Sequence, residues 1–167
     1  QPEALAWNLT RLAETLLPLD DHGELEAALN RFWPAFQTSL HAAILDRLAL
    51  VSRGREEDAG LTEAVFTFLG AAQMGYEQFF FDWRGGEDSR AFASPEAQAY
   101  RDDRFADLHA RLARYRARDD ANLGHAYFRR PHPRTMRIEE MEALWAPIAD
   151  ADDWAPLHAA LAEIEEM

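Results

Sequence analysis

Leu5, Leu9, Leu12 and Leu16 recur at steps of four, three and four, and similar spacing returns in every long apolar segment of this chain. Steps of three and four place such side chains on one face of an α-helix. A half-buried strand needs strict alternation, which no segment shows convincingly. The spacing predicts an all-α fold, an irregular bundle of about six or seven helices. In the first helix Arg11 and Glu14 lie off the stripe, and Pro18, lacking a backbone N–H, stops it. Trp7 reads as a core or boundary aromatic rather than a ligand contact.

A turn at 19–23 leads into a long helical pattern through Leu25, Leu29, Phe32, Phe36, Leu40, Ile44 and Leu48. Pro34 falls inside it, so the helix either kinks there or restarts nearby. The polar stretch Ser52–Gly60 reads as a loop, and a third helix is expected from Leu61 to Gln73. Tyr76–Trp83 reads as a short aromatic helix ended by Arg84-Gly85-Gly86. Ser94-Pro95-Glu96 signals a helix start, predicting a helix as far as about Arg118. The stretch 119–133 is irregular, since each Pro of Arg129-Arg130-Pro131-His132-Pro133 disfavours α geometry in its predecessor. A helix is expected from Ile138 to Trp145, ended by Pro147, and a last one capped by Asp153 with Trp154, Leu157, Leu161 and Ile164 inward. The expected core contains Leu9, Leu12, Leu16, Phe32, Phe36, Leu40, Phe68, Leu108, Leu112, Leu157 and Leu161. Phe79-Phe80-Phe81 faces several directions, which points to burial on more than one side.

With 167 residues, 48% of them hydrophobic, the chain is expected to form one α-helical domain over 1–167 with a real core. No apolar run approaches transmembrane length, and no signal-peptide pattern opens the sequence. Gln1 is not an initiator Met, so a fragment is expected. The net charge of −13 argues against nucleic acid and anionic membranes as partners. All 17 basic residues are Arg, and both Lys and Cys are absent. That removes the phosphate-binding strand Lys of kinase-like sites, disulfides and thiolate chemistry. The Arg-rich, Ala-rich composition suggests a GC-rich bacterial source, and the expected location is the bacterial cytoplasm.

The acidic pairs Asp20-Asp21, Glu56-Glu57-Asp58, Asp102-Asp103, Asp119-Asp120 and Asp152-Asp153 sit at expected helix ends and loops. There they favour helix N-termini and solvent over acid–base or metal work. His22, His41, His109, His125, His132 and His158 form no close metal-ligand pair. His125 and His132 share an irregular segment with Arg129, Arg130 and Arg134. Two readings stand for that segment: a small phosphate-binding patch, or the favoured one, side chains bonding backbone carbonyls of a loop. No phosphate-loop, dinucleotide or nucleophile-elbow motif occurs, and Ser39, Ser52, Ser89 and Ser94 carry no nucleophile signature. No catalytic, cofactor-binding or metal residue is assigned.

Trp7 to Leu19 reads W-N-L-x-R-L-A-E-x-L-L-P-L, preceded by Gln1-Pro2. It resembles the start of the C-terminal helical region of the selenoprotein O (YdiU-like) protein adenylyltransferase family. Further segments resemble that family in order. Gln73-Met74 through Phe79-Phe80 is similar to its M…D-[YF]-T-x-F-F-R stretch, with Gln78 for Thr and Phe81 for Arg. Phe105 to Arg118 is similar to F-x-x-W…R-Y-R, with Leu108 for Trp. His132–Glu140 resembles N-P…P-R-N-H-R-V-E-E, with His132 and Thr135 for the two Asn. Asp153-Trp154-Ala155-Pro156-Leu157 resembles G-D-L-A-P-F.

The resemblance implies a C-terminal scaffold of a kinase-like pseudokinase that transfers AMP from ATP to protein hydroxyls with Mg²⁺. Nucleotide and metal residues would lie upstream, so ATP and Mg are implied for the full-length protein and none for this chain. The implied partners are the upstream kinase-like core in cis and a protein substrate. Apolar surface near Tyr76–Trp83 or on the outer face of the first helix would face that core, and self-association of a fragment is expected. The alternative is a free-standing α-helical protein-interaction domain without catalysis.

Overall fold

A computed structural model describes residues 1–19, 21–135 and 137–165. The regular elements among the described residues are all helical, with one isolated antiparallel bridge, Leu50 to Ala117, and no strand. The all-α expectation holds, with nine α-helical segments among the described residues.

α1 (Pro2–Leu16) starts with Pro in its first turn, where no N–H is needed. α2 (His22–Asn30) begins where the Asp21 carboxylate accepts from Gly23 N at 2.8 Å. α3 (Phe32–Leu48) restarts directly after Arg31, which puts Pro34 in a first turn, so a restart and not a kink accommodates it. α4 (Arg55–Ala72) corrects the expected 52–60 loop: it begins at Arg55, with Glu56, Glu57 and Asp58 in the first turn, where the helix dipole favours acids. Gly60 lies inside it, with the Arg111 guanidinium close over its Cα.

α5 (Tyr76–Asp82) passes through a 3₁₀ turn, Arg84–Gly86, into α6 (Asp88–Ala91). Gly85 takes φ 78°, and a Cβ there would sit 2.5 Å from Leu123 Cδ1. The long helix expected from Ser94 to Arg118 is not one helix. Ser94 Oγ does accept from Glu96 N at 3.2 Å, yet turns and two 3₁₀ segments follow. Asp102 breaks the run: its backbone is extended, at ψ 144°, and its carboxylate takes Arg104 N at 2.9 Å. Only α7 (Ala106–Leu112) is regular there.

α8 (Ile138–Ala151) continues through Pro147 rather than ending there. The Pro forfeits one donor, while its carbonyl still accepts from Asp152 N at a left-handed cap, φ 52°. α9 (Ala155–Glu165) starts as expected, Asp153 Oδ1 accepting from Ala155 N at 2.9 Å.

The core lies between the C-terminal half of α3, α4, α5, α7 and the 3₁₀ segments before α7. Ile44, Leu48, Leu50, Leu61, Val65 and Leu112 pack around a ring cluster: Phe68 to Phe105 at 4.8 Å, Trp83 to Phe105 at 5.0 Å and Tyr100 to Phe105 at 5.2 Å. Such ring pairs add about 0.5–1.5 kcal/mol each beyond their buried area. Phe79, Phe80 and Phe81 are all buried, so Tyr76–Trp83 is not an exposed seam, although Tyr76 itself is exposed.

The expected core is corrected at both ends of the chain. Phe68, Leu108 and Leu112 are buried, while Leu9, Leu16, Phe32, Phe36, Leu40 and Leu157 are half-buried. Leu12 is 54% exposed and Leu161 49%, and Trp154 and Ile164 do not point inward either. The reason is architectural. α1 packs on α2, and α8 on α9, as hairpins, leaving the other face of each pair bare. Leu5, Trp7 and Leu12 lie open on α1, Trp7 at 62% exposure beneath the Arg11 guanidinium; Ile138, Met141 and Trp145 lie open on α8. No helix among the described residues is long and apolar enough to cross a membrane.

Candidate functional site

The most constrained polar group is Asp82, at the end of α5 and only 1% exposed. Its carboxylate accepts from Tyr100 Oη at 2.8 Å and from Gln78 Nε2 at 2.8 Å. Burial pushes its pKa above the ordinary carboxylate value, against the pull of the hydrogen bonds from Tyr100 and Gln78. Tyr100 is shifted upward as well, by burial first and then by the Asp82 charge. Beside it, Arg90 donates through Nε and Nη2 to Asp82 O, both at 3.2 Å, and through Nη2 to Arg84 O at 2.7 Å. Burial holds Arg90 below its ordinary value, opposed by the charges of Glu87 and Asp82.

A second buried acid, Asp58, accepts from Ser52 Oγ at 2.5 Å, Arg53 N at 3.1 Å and Tyr115 Oη at 3.0 Å. It ties the start of α4 to the segment after α7. This corrects the solvent-facing reading of Glu56-Glu57-Asp58 at its last member. Asp102 fits the surface reading: Arg104 holds its carboxyl down at about 2.

The segment 125–134 crosses α5 and is tied at both ends. His125 Nδ1 accepts from Tyr127 N at 3.2 Å, and Tyr127 Oη accepts from Arg134 N at 3.0 Å. His132 Nδ1 meets Gln78 Oε1 at 2.8 Å, and Gln78 Nε2 donates to Pro131 O at 3.2 Å. Arg130 and Arg134 both pair with Glu163 of α9. These Arg and His side chains therefore bond mainly to other side chains and not, as expected, to carbonyls. Sequence separation hid those partners, since Glu163 lies 29 and 33 residues away.

Two cavities flank this segment. One, about 560 Å³, is walled by Arg47, Arg84 and Arg134 with Glu77 and Asp120 among them. Its Arg47 is already paired with Glu77 at 2.5 Å and lies 4.5 Å from the Phe80 ring centre. The other, about 450 Å³, lies over Asp82 and Arg90, against Ser94, Pro95, Phe128 and Arg129 to Pro131. The residues present do not make up a Mg-ATP seat. The chain has no Lys, and no group of three or more His, Asp or Glu among the described residues is arranged to hold a metal. Of the six His, only His109 with Asp88 at 3.1 Å and His22 with Glu26 at 3.9 Å approach a carboxylate among the described residues. Asp20 lies outside the described residues. The buried role of Asp82 was missed, although one acid inside the run Phe79-Phe80-Phe81-Asp82-Trp83 is a signal that it must find donors.

Comparison with known proteins supplies what the geometry does not. A family described as Protein adenylyltransferase SelO matches residues 1–165. The chain is 31% identical over 191 residues to a protein nucleotidyltransferase YdiU of Jannaschia sp., covering 99% of this chain and 39% of that protein. It is 32% identical over 178 residues to the namesake from Bradyrhizobium sp., covering 97% and 35%. It is 38% identical over 111 residues to the one from Alkalilimnicola ehrlichii, covering 58% and 22%. The chain thus spans well under half the length of these relatives. No solved structure matches.

Proposed function

Given that the chain belongs to the protein adenylyltransferase SelO family, we propose that it is the helical scaffold region of a longer, kinase-like enzyme. That enzyme transfers AMP from ATP to hydroxyl groups of proteins. ATP and Mg²⁺ are held by other parts of the enzyme, and this chain shapes the face that meets the protein substrate. One observation carries the reading: a well-packed centre flanked by two helical hairpins whose outer faces are bare. Leu5, Trp7 and Leu12 on one side and Ile138, Met141 and Trp145 on the other are exposed. Leu5 and Leu12 share one face of α1, and Ile138, Met141 and Trp145 one face of α8; large apolar side chains gathered in this way mark a surface that is covered in use. The rest of the longer chain is the occupant that family membership supplies.

The test is made in the full-length protein. Leu5→Glu with Leu12→Glu puts two charges on the exposed face that these residues share on α1, without touching the core. Expected are a lower melting temperature and weakened transfer of labelled AMP to protein. A variant that melts as the parent does and transfers AMP at the parental rate overturns the proposal. A gene carrying this chain without any kinase-like region would do the same, and would favour a free-standing interaction domain.

A further inference from the structure

The chain carries net charge −13, yet the cavity of about 450 Å³ over α5 is walled by Arg90, Arg129 and Arg130 with one acid, Asp82. That acid is already occupied, its two oxygens taking Tyr100 Oη and Gln78 Nε2. Arg90 is held rather than free. Three of its N–H groups are committed to the carbonyls of Asp82 and Arg84, and its carbon lies 4.9 Å from the Phe128 ring centre and 5.9 Å from that of Phe81. Its Nη1 amino group has no hydrogen-bond partner among the described residues. A guanidinium half out of water, fixed in plane and hydrogen-bonded to carbonyls alone, with the charges of Glu87 and Asp82 near but in no direct ion pair among the described residues, presents a free donor edge.

The two other cations come from the neighbouring segment. Arg129 is exposed and has neither an ion pair nor a hydrogen bond among the described residues. Arg130 shares the single carboxylate of Glu163 with Arg134, so one negative charge serves two guanidiniums. Three guanidiniums around one concavity exceed what a carboxylate, with two oxygens, can satisfy. They match the three acceptor oxygens and near-double charge of a phosphomonoester. The volume exceeds that of phosphate alone, and Phe81, Phe128 and Pro131 give the remainder an apolar wall. A long polyanion is disfavoured by the net charge of −13.

We propose that the cavity between the Ser94-Pro95 turn and residues 128–131 binds the phosphoryl group of a small phosphomonoester, with Arg90 as the fixed fork and Arg129 and Arg130 as its partners. The proposal does not rest on the reading above.

The experiment is calorimetric titration of the full-length protein with inorganic phosphate, with AMP and with O-phosphotyrosine. Parent, Arg129→Gln, Arg129→Gln/Arg130→Gln, Arg90→Lys and, as a distant control, Arg116→Gln are compared. Circular dichroism checks that each remains folded. Expected is saturable binding of at least one probe, weakened about tenfold by Arg129→Gln and further by the double variant, with Arg116→Gln unchanged. Arg129 is exposed, so its replacement does not threaten the fold even where Arg90→Lys does. Phosphate binding as well as the esters would assign the site to the free ion; esters binding better would assign it to an organic phosphate. Absence of saturable binding by all three probes up to about 10 mM overturns the proposal. So does binding that Arg129→Gln and the double variant leave unchanged, because that binding belongs to another site.

Discussion

Removing one oxygen from the core tests the energetics of the Asp82 cluster. Tyr100→Phe keeps the ring that packs 5.2 Å from Phe105 and 5.6 Å from Trp83, so no sizeable cavity opens. It removes the 2.8 Å hydrogen bond to a carboxylate that is 1% exposed. A hydrogen bond to a charged group contributes about 1.5–3 kcal/mol, so a loss of about 2 kcal/mol is expected near neutral pH. The loss depends on pH, and its sign follows from linkage. Burial raises the Asp82 pKa above its unfolded value of 3.8. The folded state therefore holds its proton more tightly, and stability drops as pH rises from the unfolded value through the folded one. Tyr100 opposes that rise, so without its hydroxyl the folded pKa climbs further and the drop deepens. The variant should differ less from the parent at about pH 4, toward the acid side where Asp82 takes up its proton, than at about pH 7.5. Urea unfolding at both pH values, followed by tryptophan fluorescence, measures it. A neutral-pH loss below about 0.5 kcal/mol, the range of surface changes, would refute the argument, as would equal losses at the two pH values.

Other substitutions probe the rest of the frame. Gly85→Ala should cost more than about 1 kcal/mol in urea unfolding, since it forces an L-residue to φ 78° and drives a Cβ into Leu123. Leu12→Ala should cost under about 0.5 kcal/mol in this chain alone, whereas Phe68→Ala should cost about 3–5 kcal/mol in the same assay. Within the full-length protein the Leu12→Ala cost should rise to about 2–5 kcal/mol as its face is covered. Glu163→Gln should speed amide exchange at Arg130 and Arg134 without lowering the unfolding free energy by more than about 1 kcal/mol, as its pairs are partly exposed.

The helices were legible wherever a stripe met a local stop signal. Asp21 and Asp153 cap where their short polar side chains suggest, and Pro34 restarts a helix. Burial was less legible. Leu5, Leu9, Leu12 and Leu16 show which face of α1 is apolar, but periodicity does not say whether anything covers that face. The same holds for Leu157, Leu161 and Ile164. The helix expected from Ser94 failed at Asp102, where a side chain competed with the backbone ladder. The Asp82 cluster was hidden by distance, since Tyr100 lies 18 residues on. Family membership, by contrast, was readable from the opening thirteen-residue motif, because side-chain identity survives where packing cannot be inferred.

α3 belongs to two structures at once. Its last turns, with Ile44, Leu45 and Leu48, are locked in the core, while its other end, where the rings of Phe32, Trp33 and Phe36 pack on one another, lies against α2. Its 17 residues make a rod of about 25 Å. A tilt of about 10° at the buried end swings the free end through about 4 Å, more than a hydrogen-bond length. Side-chain rearrangement around Leu48 is thereby amplified at the far end of α3, where the helix meets α2.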